Sequence, residues 1–186
     1  AFPTIVPSAV FGSDAPGRRV TVAAIGVGPQ GRGVMGGFLA QSDVRVVALC
    51  DPLKRNLDEA VKQVNGHYQN TDVKTYTDFR ELLARPDIDV VSIATPDHWH
   101  VPVALAAAKA DKDIYLEKPM GLSVEEDVML RTVCQQRKRI FQFGTQQRSS
   151  REFRKACELV RNGRIGRLKQ INVWASASRP GGPTDP

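Results

Sequence analysis

The chain has 186 residues, 41% hydrophobic and 25% charged, enough to bury one good core and hardly two, so one complete domain and part of a second are expected. A formal charge of +6 and a pI near 9.5 do not make it a nucleic-acid binder. The basic residues are scattered with few aromatics among them, and the densest run, Arg137 to Arg139, falls at an expected helix end, where cations suit the dipole.

No run of 18 apolar residues exists, so no membrane span is expected. Cys50, Cys134 and Cys157 sit in apolar patterns without metal or disulfide spacing, and are expected as buried free thiols. Residues 1 to 18 are rich in proline and small residues, which suits an extended arm; a signal peptide would be longer and would begin with basic residues.

Val20 to Ile25 reads as a short buried strand, followed by G-x-G-x-x-G at Gly26, Gly28 and Gly31. The first glycine permits a tight turn, the second lets backbone approach a pyrophosphate, and the third lets the next helix lie close on the strand. That helix, roughly Gly31 to Gln41, points its N-terminal N–H groups at the phosphates, with Pro29 and Gln30 in the turn. A second strand, Val44 to Cys50, ends in Asp51, 20 residues after Gly31, where an acid accepts the ribose hydroxyls of an adenosine.

A helix over Leu53 to Val64 follows, stopped by Asn65-Gly66, then a polar connection over residues 67 to 77 and a short helix near Phe79 to Ala84. Ile88 to Ala94 has the near-continuous apolar character of a parallel strand covered on both faces. A helix over Val101 to Lys109, a strand at Ile114 to Leu116, a helix from a Ser123–Glu126 capping box to about Gln136, and a strand at Ile140 to Phe143 complete the alternation. Strand and helix in regular alternation predict a doubly wound parallel sheet, an α/β fold.

Near Thr145 the pattern changes. Ser149 and Glu152 read as a second capping box, Phe153, Ala156, Cys157 and Val160 line one helix face, and Asn162-Gly163 ends that helix. Leu168 to Ala177 alternates as a one-sided antiparallel strand does. Residues 149 to 186 therefore read as the first helix and strand of an incomplete α/β domain, after a dinucleotide-binding domain over 19 to 148.

Three more motifs stand in order: T-P-D-H-W-H at Thr95 to His100, E-K-P at Glu117 to Pro119, and G-T-Q-Q-R at Gly144 to Arg148. With the glycine fingerprint and Asp51 they resemble the Gfo/Idh/MocA family, named for glucose–fructose oxidoreductase and inositol dehydrogenase. The resemblance is nearest to exported members, whose Tat signal precedes a segment similar to Phe2 to Gly12. It implies a Rossmann domain for NAD, with NADP as the alternative, then a domain carrying much of a carbohydrate substrate site and the contacts of a homo-oligomer. It also implies periplasmic export, with a cytoplasmic location as the alternative.

By the same resemblance Lys118 is the catalytic residue, reaching a substrate hydroxyl beside C4 of the nicotinamide, and Glu117 orients it. Partial burial and a nearby cationic ring are expected to help Lys118 take a proton. Thr95 and Pro96 are expected at the cofactor crevice, with Asp97 and His100 near the nicotinamide ribose ahead of His98 and Trp99; Gln146, at the crossing to the second domain, either contacts cofactor or substrate or only satisfies the linker backbone. No residue set suits a metal: His98 and His100 are two apart with no Cys or carboxylate cluster beside them.

The expected function is NAD(P)-dependent hydride transfer to or from a sugar or polyol. Two alternatives remain: a redox-neutral glycosidase that oxidises and re-reduces its sugar with bound NAD, as some family members do, and a silent dinucleotide-binding module.

Overall fold

The computed structural model describes residues 19–174. These form two compact units that divide between Thr145 and Gln146, three residues before the expected boundary. The expected arm at 1 to 18 lies outside the described residues.

The first unit alternates strand and helix: β1 (Val20–Ile25), α1 (Pro29–Leu39), β2 (Val44–Cys50), α2 (Lys54–Tyr68), β3 (Lys74–Tyr76), α3 (Phe79–Leu83), β4 (Val90–Ile93), α4 (Asp97–Lys109), β5 (Asp113–Glu117), α5 (Val124–Arg137) and β6 (Phe141–Gly144). All pairings are parallel, in the order β3-β2-β1-β4-β5-β6. The chain winds outward on one side of β1, crosses back through α3, and winds outward on the other, so the order reverses between β1 and β4.

Both faces of the sheet are covered, which is why its strands read as continuous apolar runs. On one face Ala24, Val46 and Leu49 pack against Met35 and Leu39 of α1 and Leu57, Ala60 and Val64 of α2. On the other, Ala23, Ile25, Val91, Ile93, Ile114 and Leu116 pack against α3, α4 and α5. Each fully buried Leu or Ile contributes about 1.5–3 kcal/mol relative to exposure. Cys50 and Cys134 lie in this second core, as expected.

Several boundaries differ from expectation for identifiable reasons. Helix α2 runs through Asn65-Gly66 to Tyr68, because Tyr68 packs on the core, its hydroxyl accepts the Val46 N–H at 3.0 Å, and Arg45 lies 3.9 Å over its ring. Residues 67 to 77 contain an edge strand, β3, held to β2 by backbone pairing at Ala48 to Cys50. Helix α4 begins at Asp97, four residues early, its first turn closed by Trp99 N–H donating to Pro96 O at 2.8 Å. At α5 only half of the capping box forms: Ser123 accepts the Glu126 N–H, while the Glu126 carboxylate accepts from Leu122 N–H.

The second unit holds a 3-10 turn (Gln146–Ser149) and α6 (Arg151–Arg161). Its cap is Ser150, not Ser149: Ser150 Oγ accepts the Phe153 N–H. Cys157 is exposed, against expectation, because no other described element of this unit covers the apolar face of α6. The expected strand at Leu168 is absent over residues 168 to 174, where Ile171, Val173 and Trp174 are exposed; a strand needs a partner, and this unit has none among its described residues. Positions 175 to 177 lie outside the described residues.

Candidate functional site

Parallel register brings four strand ends level: Ile25 lies opposite Cys50 and Ile93, and Ile93 opposite Leu116. The glycine turn, Asp51 and Glu117-Lys118 follow Ile25, Cys50 and Leu116 directly and the Thr95-Pro96 turn follows Ile93 after one residue, so four distant motifs converge on one edge of the sheet. There a crevice of about 630 Å³ opens, lined by Gly26, Gly28 to Gly31, Asp51, Thr95 and Pro96.

The three fingerprint glycines answer to three different constraints. Gly26 has φ +79°, and a Cβ there would lie 2.6 Å from the Ala94 carbonyl oxygen. At Gly31 a Cβ would meet the Gly26 oxygen at 1.9 Å, so α1 seats on β1 only with hydrogen at this position. At Gly28 the nearest atom would be Asn56 Nδ2 at 3.8 Å. The chain itself does not need glycine there, which leaves ligand approach as its physical reason.

Helix α1 starts at Pro29 with no side-chain cap and no acid in its first turn, so its leading N–H groups face the crevice ready for an anion. Thr95 Oγ1 is buried beside it with no hydrogen-bond partner among the described residues. These features fit a dinucleotide with its pyrophosphate at the head of α1.

Asp51 is only 5% exposed. Its carboxylate accepts from Val27 N–H (2.9 Å), Leu53 N–H (2.9 Å) and the Asn56 amide (3.1 Å to each oxygen), so it braces the glycine turn against the start of α2. The neighbouring Cys50 thiol is pushed up to about 12 by burial, aided by the Asp51 charge, which keeps it protonated and inert.

Glu117 is buried, 2% exposed. It accepts from Gln30 Nε2 at 3.1 Å and from the main-chain N–H of Lys118 at 3.0 Å, and thus orients the backbone that carries the lysine. The Lys118–Pro119 peptide is cis. Lys118 itself is exposed, against the expected partial burial, because it stands in the turn beyond the end of β5.

Two expectations at the T-P-D-H-W-H tract are reversed. His98 and Trp99 line the crevice, Trp99 packing edge-on at 6.2 Å against Phe79, whereas Asp97 is exposed in the first turn of α4 and is not part of the lining. His100 is buried, 1% exposed, with both ring nitrogens against backbone carbonyls, so it offers no polar atom to a ribose. Helix α4 begins inside this tract, at Asp97, so helical spacing turns His100 inward with Val103 and Ala104 and turns Trp99 out. Gln146 is the first residue of the second unit.

The far wall of the crevice, Thr77 to Arg80 with Asn56 and Leu53, was not expected. Its one sequence signal is Asp78, whose carboxylate accepts the Arg80 N–H and caps α3.

Residues 20–145 match the family model described as oxidoreductase family, NAD-binding Rossmann fold, GFO_IDH_MocA. The chain belongs to the Gfo/Idh/MocA family. Among curated relatives, a Shewanella sp. (strain MR-4) protein named glycosyl hydrolase family 109 protein 1 is 34% identical over 167 residues, covering 88% of this chain and 36% of that protein. A glycosyl hydrolase family 109 protein of Saccharopolyspora erythraea is 36% identical over 110 residues, 58% of this chain and 24% of its own length.

Among solved structures, scyllo-inositol dehydrogenase from Lactobacillus casei, with NAD(H) and scyllo-inositol bound, superposes with a TM-score of 0.69 at 26% identity, covering 80% of this chain and 42% of that one. Myo-inositol 2-dehydrogenase from Lactobacillus plantarum gives 0.70 at 26%, over 81% and 43%. The Gfo/Idh/MocA chain described here thus spans about a third of that Shewanella relative and two fifths of these dehydrogenases.

Proposed function

We propose that the protein containing this chain is an NAD-dependent oxidoreductase that moves a hydride between nicotinamide and a carbinol carbon of a sugar, polyol or related carbohydrate. One observation carries the reading: the fingerprint turn and the E-K-P turn are joined, Gln30 donating to Glu117 and Glu117 accepting the Lys118 N–H. The residues suited to hold a dinucleotide and the residue suited to handle a proton therefore belong to one hydrogen-bonded unit.

Bound NAD supplies the hydride acceptor or donor. Gly28 leaves room for the pyrophosphate, the first turn of α1 offers it N–H groups, and Thr95 and Pro96 border the nicotinamide half. Lys118 meets the substrate hydroxyl and takes or shares its proton.

NAD is favoured over NADP by charge near the ribose. Asp51 stands at the strand end, while Lys54 is tied to Asp58 at 2.8 Å. For Asp51 to accept ribose hydroxyls the Asn56 amide must yield its place. Gln146, export to the periplasm and homo-oligomer formation belong to the same reading, on the strength of the family resemblance alone.

The names of the curated relatives favour a second reading, a glycosidase that uses NAD without net redox change. One assay separates the two. The longer protein is given NAD with a panel of polyols and sugars, and separately with aryl glycosides. NADH accumulation with a polyol supports the oxidoreductase; aryl release without net NADH supports the glycosidase. Tight NADH binding with neither outcome would leave a dinucleotide-binding module.

A further inference from the structure

His100 has no place in the proposed chemistry, yet it is among the most buried polar residues of the chain. One ring nitrogen, Nε2, lies 2.9 Å from the carbonyl oxygen of Thr95, and the other, Nδ1, is hydrogen-bonded with the carbonyl oxygen of Pro119. Those carbonyls belong to the two turns that leave β4 and β5. An imidazole can donate to either oxygen, and to both when it carries two protons. A partly buried carbonyl left unpaired is costly, so the turn whose oxygen takes the ring N–H is held where the ring can reach it.

The surroundings leave the E-K-P turn little freedom elsewhere. Met120 packs against the core, and a Cβ at Gly121 would lie 2.9 Å from Val101 Cγ2, so the turn rests on the first turns of α4. On the other side a Cβ at Gly144 would lie 3.0 Å from the Glu117 Cα. Lys118 is therefore held from before by the Glu117 carboxylate on its own N–H and from behind by the bond to the next carbonyl.

We propose that His100 is a positioning residue for Lys118, its imidazole Nδ1 holding the Pro119 carbonyl against the first turn of α4. The main chain that carries the ammonium is thereby fixed at the carboxyl end of β5, on the sheet edge where the crevice opens. The inference rests on the reading of Lys118 as the proton-handling group. Its mechanical part stands without that reading.

Two substitutions separate positioning from packing. An Asn amide reaches where Nδ1 lies and keeps a donor for Pro119; a Gln amide reaches where Nε2 lies and keeps a donor for Thr95. In the 186-residue chain, hydrogen exchange at the amides of Lys118, Met120 and Gly121 is expected to quicken about tenfold in His100→Gln, the loss of one buried hydrogen bond. His100→Asn is expected to stay near wild type, and NADH affinity to remain within about twofold in both.

In the longer protein turnover should fall in the same order with the substrate KM little moved. A packing role alone predicts the opposite order, since Asn leaves the larger void. Exchange as fast in His100→Asn as in His100→Gln, or protection lost evenly across α4 and the sheet, would overturn the proposal. Full turnover of Lys118→Ala with the exchange order intact would instead remove the reading of Lys118.

Discussion

At the residue scale, three glycines of one motif carry three separable duties, and substitution distinguishes them. Gly31→Ala forces a Cβ to within 1.9 Å of backbone and is expected to destabilise the fold by several kcal/mol or prevent it. Gly28→Val meets open space in the chain, so its melting temperature should hold while NADH affinity, read by fluorescence titration, falls at least about tenfold. Equal affinity would show that the pyrophosphate does not pass Gly28.

Cys50 gives a second residue-level expectation. Burial raises its thiol from 9.0 to about 12. The unfolded chain therefore loses this proton first, and the stability linked to it is present below pH 9 and drains away as pH rises toward 12. Stability measured by urea unfolding should decline across that window less steeply in Cys50→Ala. Cys134 is shifted the same way by burial, so the decline should not vanish.

At the scale of elements, most of the sheet was legible because its strands are short apolar runs with turn residues at both ends. Where propensity and tertiary packing conflict, packing decides. Asn65-Gly66 carries a stop signal, yet α2 continues because Tyr68 finds a donor and a core beyond it. Tyr68→Phe should therefore cost about 1 kcal/mol in unfolding free energy, and should loosen the last turn of α2 in hydrogen exchange without moving the rest.

Strand β3 was not legible, since three residues of which only Tyr76 packs against the core leave no pattern. The same blind spot hid Thr77 to Arg80, which reach the crevice only because β3 places them beside Asp51. At T-P-D-H-W-H the motif was visible but the helix start was not. Without the start, the inward and outward faces of His100 and Trp99 cannot be told apart.

At the scale of the whole molecule, every residue lining the crevice belongs to the first unit, and the second contributes one capped amphipathic helix among its described residues. A family that binds NAD, a glycine loop with room at Gly28, and an E-K-P turn tied to that loop make a coherent half of a site. The chain spans less than half the length of the Shewanella relative and of the Lactobacillus casei dehydrogenase. The central claim, that binding and chemistry are divided between Gly28 and Lys118, is therefore tested most directly by Lys118→Ala in the longer protein. NADH affinity should be unchanged and turnover lower by roughly 10²-fold or more. Full turnover on the true substrate would contradict the account and leave E-K-P as a structural turn.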